Sequence, residues 1–372
     1  MTVAEALAPA TEAELAEIVG DAFARSAPLR IAGGGTRTQN PGPGEVLSLS
    51  RLSGVVTYSP GEMTLVARAG TSLAEIMEML AAEGQSLAFE PPDLRGISGS
   101  NGVPTIGGMV AANASGPRRL LAGACRDHLL GVRFVDGQGR ILKNGGRVMK
   151  NVTGLDLSKL MAGAHGTLGV LTEVSMKTLP LPRSRATLAF AGLDAAAAVG
   201  LFSTALATPF EVSGAAWRDG TAWLRIEGLG PQLDYRRDRL LALVPERKAE
   251  MLEGAESDQL WRGLRDATAF AGSPAPLWRI LVRPTDAPAI TSALLALGGQ
   301  VALDWGGGLI WYHGPGDAAE VRGIARHATL IRRDGVTGPA FPPASGPVAH
   351  LSEGLRRRFD PARILNPGLM DG

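Results

Sequence analysis

The first half of the chain alternates helical and strand-like patterns of apolar residues. Residues 11–26 place apolar side chains at the helical period, with Thr11 as a possible N-cap and Glu14 three positions on, which predicts an amphipathic helix. A second such helix is predicted over 72–82. Short apolar runs predict strands at 45–49, 54–58, 64–69 and 170–179. Residues 129–142 predict a hairpin, because Asp136-Gly137-Gln138-Gly139 separates two apolar runs.

The second half follows one order of elements twice. Between residues 187 and 331 the pattern reads strand, helix, strand, strand, helix, helix, and then strand, helix, strand, strand, helix, strand, so the order strand, helix, strand, strand, helix, strand is seen roughly twice without obvious sequence identity. That order predicts an antiparallel sheet with helices on one face, so the chain as a whole is α+β. The apolar stretch 186–210 is interrupted by Asp194 and predicts a strand and a helix rather than a membrane span.

Prolines and composition divide the chain. Pro180 and Pro182 end the glycine-rich first half and predict a domain boundary near residue 183. The predicted domains are therefore residues 1–183 and 184–348. Residues 349–372 form a tail, predicted as a basic amphipathic helix with a proline-glycine end that returns to the first domain.

Composition excludes several classes of function. A length of 372 residues is consistent with about two domains, and a net charge of +1 without a basic, aromatic stripe argues against nucleic-acid binding. The single cysteine, Cys125, excludes a disulfide framework and any iron–sulfur or zinc site built on thiolates of this chain alone. The N-terminus carries no signal-peptide pattern, which predicts a cytoplasmic location. The mean hydropathy of +0.09 is high and would suit a subunit that buries part of its surface against partner proteins.

Three glycine-rich loops carry the candidate chemistry. They are Gly33-Gly34-Gly35-Thr36, the stretch 104–116 and residues 163–169, each beside a strand-like run. Backbone N–H groups in such loops can hold an anion, so the three together predict one long, phosphate-bearing cofactor. None has the Rossmann or the nucleotide-triphosphate pattern. Tight turns that require positive φ remain the alternative.

Five motifs in order carry a resemblance that spans nearly the whole chain. They are R-I-A-G-G-G-T at 30–36, P-T-I-G-G-M-V-A-A-N-A-S-G at 104–116, K-N-V-T-G-L-D-L-S-K-L at 150–160, G-T-L-G-V-L-T-E at 166–173 and L-N-P-G at 365–368. The chain resembles FAD-binding proteins of the vanillyl-alcohol-oxidase type, and within them the FAD-binding E subunits of bacterial glycolate oxidase, which are related to FAD-linked D-lactate dehydrogenases. The resemblance implies a two-lobed PCMH-type FAD-binding domain followed by a ferredoxin-like antiparallel α+β cap, with the flavin at their junction.

The resemblance also implies which residues hold FAD. Donors to the pyrophosphate would be Gly33, Gly34, Gly35 and Thr36. The cradle would be completed by Thr105, Gly107, Gly108, Asn113 and Ser115, and main chain at Gly169 and Val170 would face the adenine or the flavin. For Asn113 and Ser115 the alternative role is capping, and for Gly108 it is close packing. Relatives with covalent flavin often carry a histidine where this loop has Thr36-Arg37, so FAD is expected to bind noncovalently.

The catalytic residues are not predicted. The relatives that oxidise 2-hydroxy acids carry H-x-G-D-G-N-x-H, which is absent here, so no metal is expected. His313 and His165 are candidates for a base or for a group that tunes the flavin, against structural roles for both. Arg225 and Arg279 lie on predicted cap strands and could bind a carboxylate. Trp305 and Trp311 could cover the flavin or fill the cap core.

Three functions remain open from the sequence. The first is the FAD-binding subunit of a glycolate oxidase (glycolate dehydrogenase) complex that oxidises glycolate to glyoxylate, with a sister flavoprotein and an iron–sulfur subunit leading to the inner face of the membrane. The second is a self-sufficient FAD-linked dehydrogenase of another 2-hydroxy acid or alcohol. The third is a non-catalytic FAD-binding scaffold. The missing cysteines and histidine motif favour the first or the third.

Overall fold

A computed structural model describes residues 6–37, 42–147 and 155–370. Its α-helices are α1 (Glu12–Ala24), α2 (Leu73–Ala82), α3 (Arg95–Ser98), α4 (Ile106–Ala111), α5 (Arg119–Ala122), α6 (Leu157–Met161), α7 (Ala195–Leu206), α8 (Gly230–Ala242), α9 (Gly254–Arg265), α10 (Ala287–Ala296), α11 (Ala318–Ile324) and α12 (Gly346–Phe359). Its strands are β1 (Leu29–Ala32), β2 (Glu45–Ser48), β3 (Val55–Ser59), β4 (Thr64–Arg68), β5 (Gln85–Ser86), β6 (Leu129–Val135), β7 (Ile141–Gly145), β8 (Val170–Lys177), β9 (Leu179–Pro180), β10 (Ser184–Phe190), β11 (Val212–Arg218), β12 (Thr221–Gly228), β13 (Glu250–Glu253), β14 (Leu277–Leu281), β15 (Gln300–Asp304), β16 (Leu309–His313) and β17 (Ala328–Arg332).

Among the described residues, the first half contains three sheets, of which the smallest is the antiparallel pair of β5 and β9. Strands β1 and β2 pair in parallel, and a five-stranded antiparallel sheet has the order β3-β4-β8-β6-β7. The predicted helix at 11–26 is confirmed, and the Thr11 hydroxyl accepts a hydrogen bond from the Glu14 N–H. The predicted hairpin is confirmed as β6 and β7, where Asp136 accepts from the N–H groups of Gln138 and Arg140.

The second half forms one eight-stranded sheet in the order β13-β10-β12-β11-β15-β16-β14-β17. The repeated element order is confirmed, and the two copies join edge to edge where β11 pairs with β15. Strand β13 closes the first copy, but no strand was predicted there, because its short sequence E-M-L-E pairs only with β10 and is half exposed. Asp194 caps α7, so the apolar stretch 186–210 is a strand and a helix as predicted. Within the described residues, no helix is long and apolar enough to cross a membrane.

One apolar cluster joins the two halves. Leu94 and Ile97 from the first half pack with Phe270, Trp305 and Trp311 from the second. The Trp305 indole N–H also donates to the Gly116 carbonyl at 3.0 Å. These contacts fix the second half against the loop that follows α4.

The tail lies against the first half. The Leu29 N–H donates to the Ile364 carbonyl at 2.7 Å, and the Ile31 N–H donates to Asn366 Oδ1 at 2.8 Å. The Asn366 side-chain amide donates in turn to the His165 carbonyl. The domain boundaries at residues 183 and 348 remain predictions, while these bonds show that residues 364–366 extend the edge at β1.

Candidate functional site

The larger of two adjoining cavities, called here the cradle cavity, lies among the glycine loops and has a volume of about 320 Å³. Of the residues predicted to bind cofactor, those that line it are Gly33, Gly34, Gly35, Thr36, Thr105, Gly107, Gly108 and Gly169. His165 and the tail residues Asn366 and Leu369 lie in the same wall. Three separate loops and the tail therefore meet around one space.

The loop after β1 offers free backbone donors. None of the described residues accepts a hydrogen bond from the N–H groups of Gly34, Gly35 or Thr36. Because buried backbone N–H groups seldom lie unpaired and Thr36 is buried, its N–H and those of its two neighbours are suited to an anionic ligand.

In the second glycine stretch, unlike the first, backbone N–H groups are already paired within the protein. The N–H groups of Ile106, Gly107 and Gly108 are occupied, donating to Thr71 O, Ala69 O and Thr105 Oγ1. The expectation of open backbone donors is therefore wrong at these three residues.

Glycine is required in these loops for two different reasons. A Cβ at Gly34 would overlap the Val103 carbonyl, and one at Gly107 would lie 2.6 Å from the Ala69 Cβ, so both positions need close backbone packing. Gly35 has φ +64° and an added Cβ there would meet open space. The packing of Gly34 on Val103 places the first glycine loop directly against the segment that leads into the second.

The charge of the cradle cavity suits a pyrophosphate. Arg30 and Arg37 line it, and no Asp or Glu is among the described residues that do so. With the free N–H groups of Gly34 to Thr36, this donor set fits the phosphates of FAD.

The other predicted cofactor residues lie elsewhere. Val170 is fully buried at the start of β8. Asn113 Oδ1 accepts from the Arg126 N–H, and the Ser115 hydroxyl accepts from the Cys125 N–H. These two bonds agree with the capping role that was the alternative for Asn113 and Ser115. Both residues line the second cavity rather than the first. Residues 150–154 of the third motif lie outside the described residues.

The second cavity, called here the cap chamber, has a volume of about 140 Å³ and lies between the first half and the cap sheet. It shares Arg37, Ala112, His165 and Leu369 with the cradle cavity. Cap residues that line it include Arg279, Asp304 and Trp311. A cofactor in the larger cavity would thus reach the edge of the smaller one.

Charged groups in the cap chamber are strongly perturbed. Burial raises the pKa of Asp304 from 3.8 to about 7, although the N–H of Trp305 and the charge of Arg225 act in the opposite direction. Burial and the charge of Arg119 lower the pKa of Arg279 to about 10, and it stays cationic at neutral pH. Perturbed groups in a cleft are typical of functional sites.

The two histidine candidates have different surroundings. His165 lines both cavities, and burial with the charges of Arg279 and Arg37 lowers its pKa to about 4, so the imidazole is neutral at pH 7. His313 stacks on Phe270 at 5.5 Å between ring centroids and is not among the lining residues of either cavity. The geometry favours a structural role for His313.

Replacing Asp304 by asparagine should stabilise the protein more at pH 8 than at pH 5. The folded protein holds the Asp304 proton up to about pH 7, whereas the unfolded chain releases it near 3.8, so the wild type loses stability as pH rises between these values. An asparagine cannot ionise and removes that loss. Urea unfolding of both proteins with saturating FAD measures the difference. An equal difference at the two pH values would contradict a buried, protonated Asp304.

Sequence reasoning missed several residues at these cavities. Arg30, Asn366 and Leu369 line the cradle cavity, and Asp304 lines the cap chamber. Arg30 and Asn366 lie within the motifs at 30–36 and 365–368, so their proximity to glycines of those motifs could have indicated a place at the site. Asp304 has none, because its position depends on the register of β15 in the cap sheet.

Comparisons with known proteins agree with this geometry. A protein-family model described as "FAD binding domain" matches residues 4–145. Glycolate oxidase subunit GlcE of Escherichia coli (strain K12) is 36% identical over 365 residues, covering 96% of each chain. Glycolate oxidase subunit GlcD of Bacillus subtilis (strain 168) is 30% identical over 197 residues, covering 51% of this chain and 40% of that one. A solved structure of alkyldihydroxyacetonephosphate synthase superposes with a TM-score of 0.69 at 16% identity, covering 97% of this chain and 76% of the other, and shows the fold alone.

The fold and the family match define an FAD-binding flavoprotein with a PCMH-type domain and an antiparallel α+β cap, as the sequence predicted. The near full-length similarity is more specific. The chain belongs to the family of glycolate oxidase subunit GlcE.

Proposed function

We propose that this chain is the FAD-binding subunit of a glycolate oxidase complex and takes part in the oxidation of glycolate to glyoxylate. The observation that carries the proposal is the cradle cavity, whose unclaimed N–H groups and two arginines fit the FAD pyrophosphate, in a chain that matches a glycolate oxidase subunit over 96% of its length. When bound, FAD supplies a two-electron acceptor for the substrate.

FAD is held by residues of the cradle cavity. Gly34, Gly35 and Thr36 donate to the pyrophosphate, while Arg30 and Arg37 neutralise its charge. The glycines at 107, 108 and 169 allow the close approach of backbone that shapes the wall. Asn113 and Ser115 act from the cap chamber, where they shape the loop that faces the flavin end.

The complex supplies what this chain lacks. The single cysteine of this chain cannot by itself hold an iron–sulfur cluster, so a cluster in the electron path would lie in another subunit. We propose a sister flavoprotein and an iron–sulfur subunit as partners, which would bring a cytoplasmic protein to the inner face of the membrane.

A charge placed in the cradle cavity should expel FAD. Gly35→Asp adds a carboxylate at a left-handed position that Asp and Asn both tolerate, where an added Cβ meets open space. At about 5 Å from a phosphate and an effective dielectric constant of about 20, repulsion of about 3 kcal/mol corresponds to roughly 100-fold weaker binding. Gly35→Asn, the matched neutral variant, should retain most of the affinity. FAD titration of the apoproteins measures both, and equal affinities would contradict this site.

FAD should be released by denaturation. Two residues could in principle bind flavin covalently, Cys125 and His165. The Cys125 thiol is buried, and burial raises its pKa to about 12, so it offers no thiolate. The imidazole of His165, which lines the cradle cavity, makes an edge contact with the ring of Phe341. After acid precipitation, the yellow colour should appear in the supernatant. Flavin that stays in the pellet would contradict noncovalent binding.

One experiment separates the three functions. The purified chain, loaded with FAD, is mixed with glycolate or D-lactate under anaerobic conditions, alone and then with its partner subunits. Bleaching of the flavin absorbance of the chain alone supports a dehydrogenase that needs no sister subunit for the oxidation. Bleaching only in the complex supports a relay subunit, and no change in either, with flavin bound, supports the scaffold and would contradict the proposed oxidation.

A further inference from the structure

The cap chamber has the size of a pocket for a small molecule. Its volume of about 140 Å³ is close to that of engineered cavities of about 150 Å³ that accept benzene. It adjoins the cradle cavity through shared lining residues. A ligand of a few heavy atoms in the chamber would therefore lie beside the cofactor.

A cation without a partner faces this space. No described residue accepts a hydrogen bond from the Arg279 guanidinium, and its contact in the described structure is a stack 5.1 Å from the centroid of the Trp305 ring. A second lining residue, Arg333, has a buried Nη2 without a hydrogen-bond partner. Guanidinium groups have a planar fork of donors that matches a carboxylate, and buried ones are ordinarily paired.

A carboxylate also lines the chamber. Asp304 Oδ1 accepts from the Trp305 N–H at 2.6 Å, while none of the described residues donates to Oδ2. Asp304 and Arg279 influence each other's ionisation, yet they form no ion pair within 4.0 Å. Neither side chain is therefore taken up by direct contact with the other.

We propose that Arg279 binds the carboxylate of a small 2-hydroxy acid in the cap chamber and that Asp304 Oδ2 accepts the proton of its hydroxyl group. This inference rests on the proposed function and names the residues of this chain that act on the substrate. If FAD were bound, it would supply the acceptor for the hydride of the C–H bond, and the ionised form of Asp304 would take up the O–H proton, so both hydrogens are accounted for when a carbonyl forms.

The charges around Asp304 predict a pH-dependent affinity for anions. A bound carboxylate repels ionised Asp304, so anions should bind more tightly below about pH 7, where Asp304 is neutral, than above it. The other charged groups near it keep their states across pH 6 to 8.5. Arginines 37, 225, 265 and 279 stay cationic, Glu90 stays ionised because Arg225 lowers its pKa, and His165 stays neutral.

The test uses oxalate, a two-carbon dianion that has no hydrogen to donate as hydride. Its affinity for the FAD-loaded full chain is measured by calorimetry at pH 6 and pH 8.5, for the wild type, Arg279→Met, Arg279→Lys and Asp304→Asn. Arg283→Met, at an exposed arginine of the cap, is the matched control. FAD content is recorded for every sample, so failure of cofactor binding, which would overturn the proposed function, is distinguished from failure of the chamber.

The expected results are specific. Arg279→Met should weaken oxalate binding by about 30-fold or more with FAD content unchanged, Arg279→Lys should restore part of it, and Arg283→Met should have no effect. The wild type should bind more tightly at pH 6 than at pH 8.5, and Asp304→Asn should abolish that difference. The inference is overturned if the wild type fails to bind oxalate, if Arg279→Met binds it normally, or if the pH dependence persists in Asp304→Asn.

Discussion

Replacing Glu90 by glutamine should lower the free energy of unfolding by about 3 kcal/mol at pH 7. Glu90 belongs to the first half of the chain, and its two carboxylate oxygens accept hydrogen bonds from the Arg225 guanidinium of strand β12 at 2.8 and 2.9 Å. Arg225 is 2% exposed, so the substitution leaves a buried cation short of its main counterion. Urea unfolding of the two proteins measures the loss.

The pH dependence of this loss has a definite sign. Burial favours the neutral form of Glu90, but Arg225 and Arg118 outweigh it and keep its pKa below the ordinary 4.5. The stabilisation is therefore present above pH 4.5 and fades as the pH falls further. Asp234→Asn, which breaks an exposed ion pair with Arg237, is the control and should cost under about 1 kcal/mol. A similar small cost for Glu90→Gln would show that the pair does not hold the halves together.

Replacing Gly34 by alanine should abolish FAD binding at micromolar cofactor. The added Cβ would overlap the carbonyl oxygen of Val103, which is backbone and cannot rotate away. The loop after β1 must then separate from residues 102–103, and this displaces the free N–H groups of Gly34, Gly35 and Thr36 from the cradle cavity. The flavin-to-protein ratio of the purified variant measures the effect.

A second glycine provides the control for that substitution. Gly20 lies in α1, and an added Cβ there would meet no atom within 4 Å. Gly20→Ala should keep a full complement of FAD and gain about 0.5–1 kcal/mol of stability from its helical position. Stoichiometric FAD in Gly34→Ala would show that the cofactor does not depend on this loop.

Local patterns predicted the helices, strands and repeat because their signals lie within a few residues. Thr11 caps the helix that it was expected to begin, Asp194 caps the helix within the apolar stretch that it interrupts, and the turn at residue 136 forms the expected hairpin. The joining of the two repeats into one sheet could not be predicted in this way. It depends on the pairing of Trp217 with Leu303, which are far apart along the chain.

In the candidate site, too, local sequence predicted some residues, while others depend on the tertiary structure. The loop at 33–36 was predicted from its glycines, and its free N–H groups agree with that role. For Gly107 the pattern was informative but the reason differed, since the glycine serves packing against Ala69 and its N–H is occupied. Arg279 and Asp304 gain their significance from burial and from a missing partner, and neither property is written in the local sequence.

A crystal structure of the full chain with FAD tests the central claim most directly. We expect pyrophosphate oxygens within hydrogen-bond distance of the N–H groups of Gly34, Gly35 and Thr36, with Arg30 or Arg37 beside them and the flavin ring at the mouth of the cap chamber. Pyrophosphate bound at another place, or N–H groups of this loop that face away from it, would contradict the account.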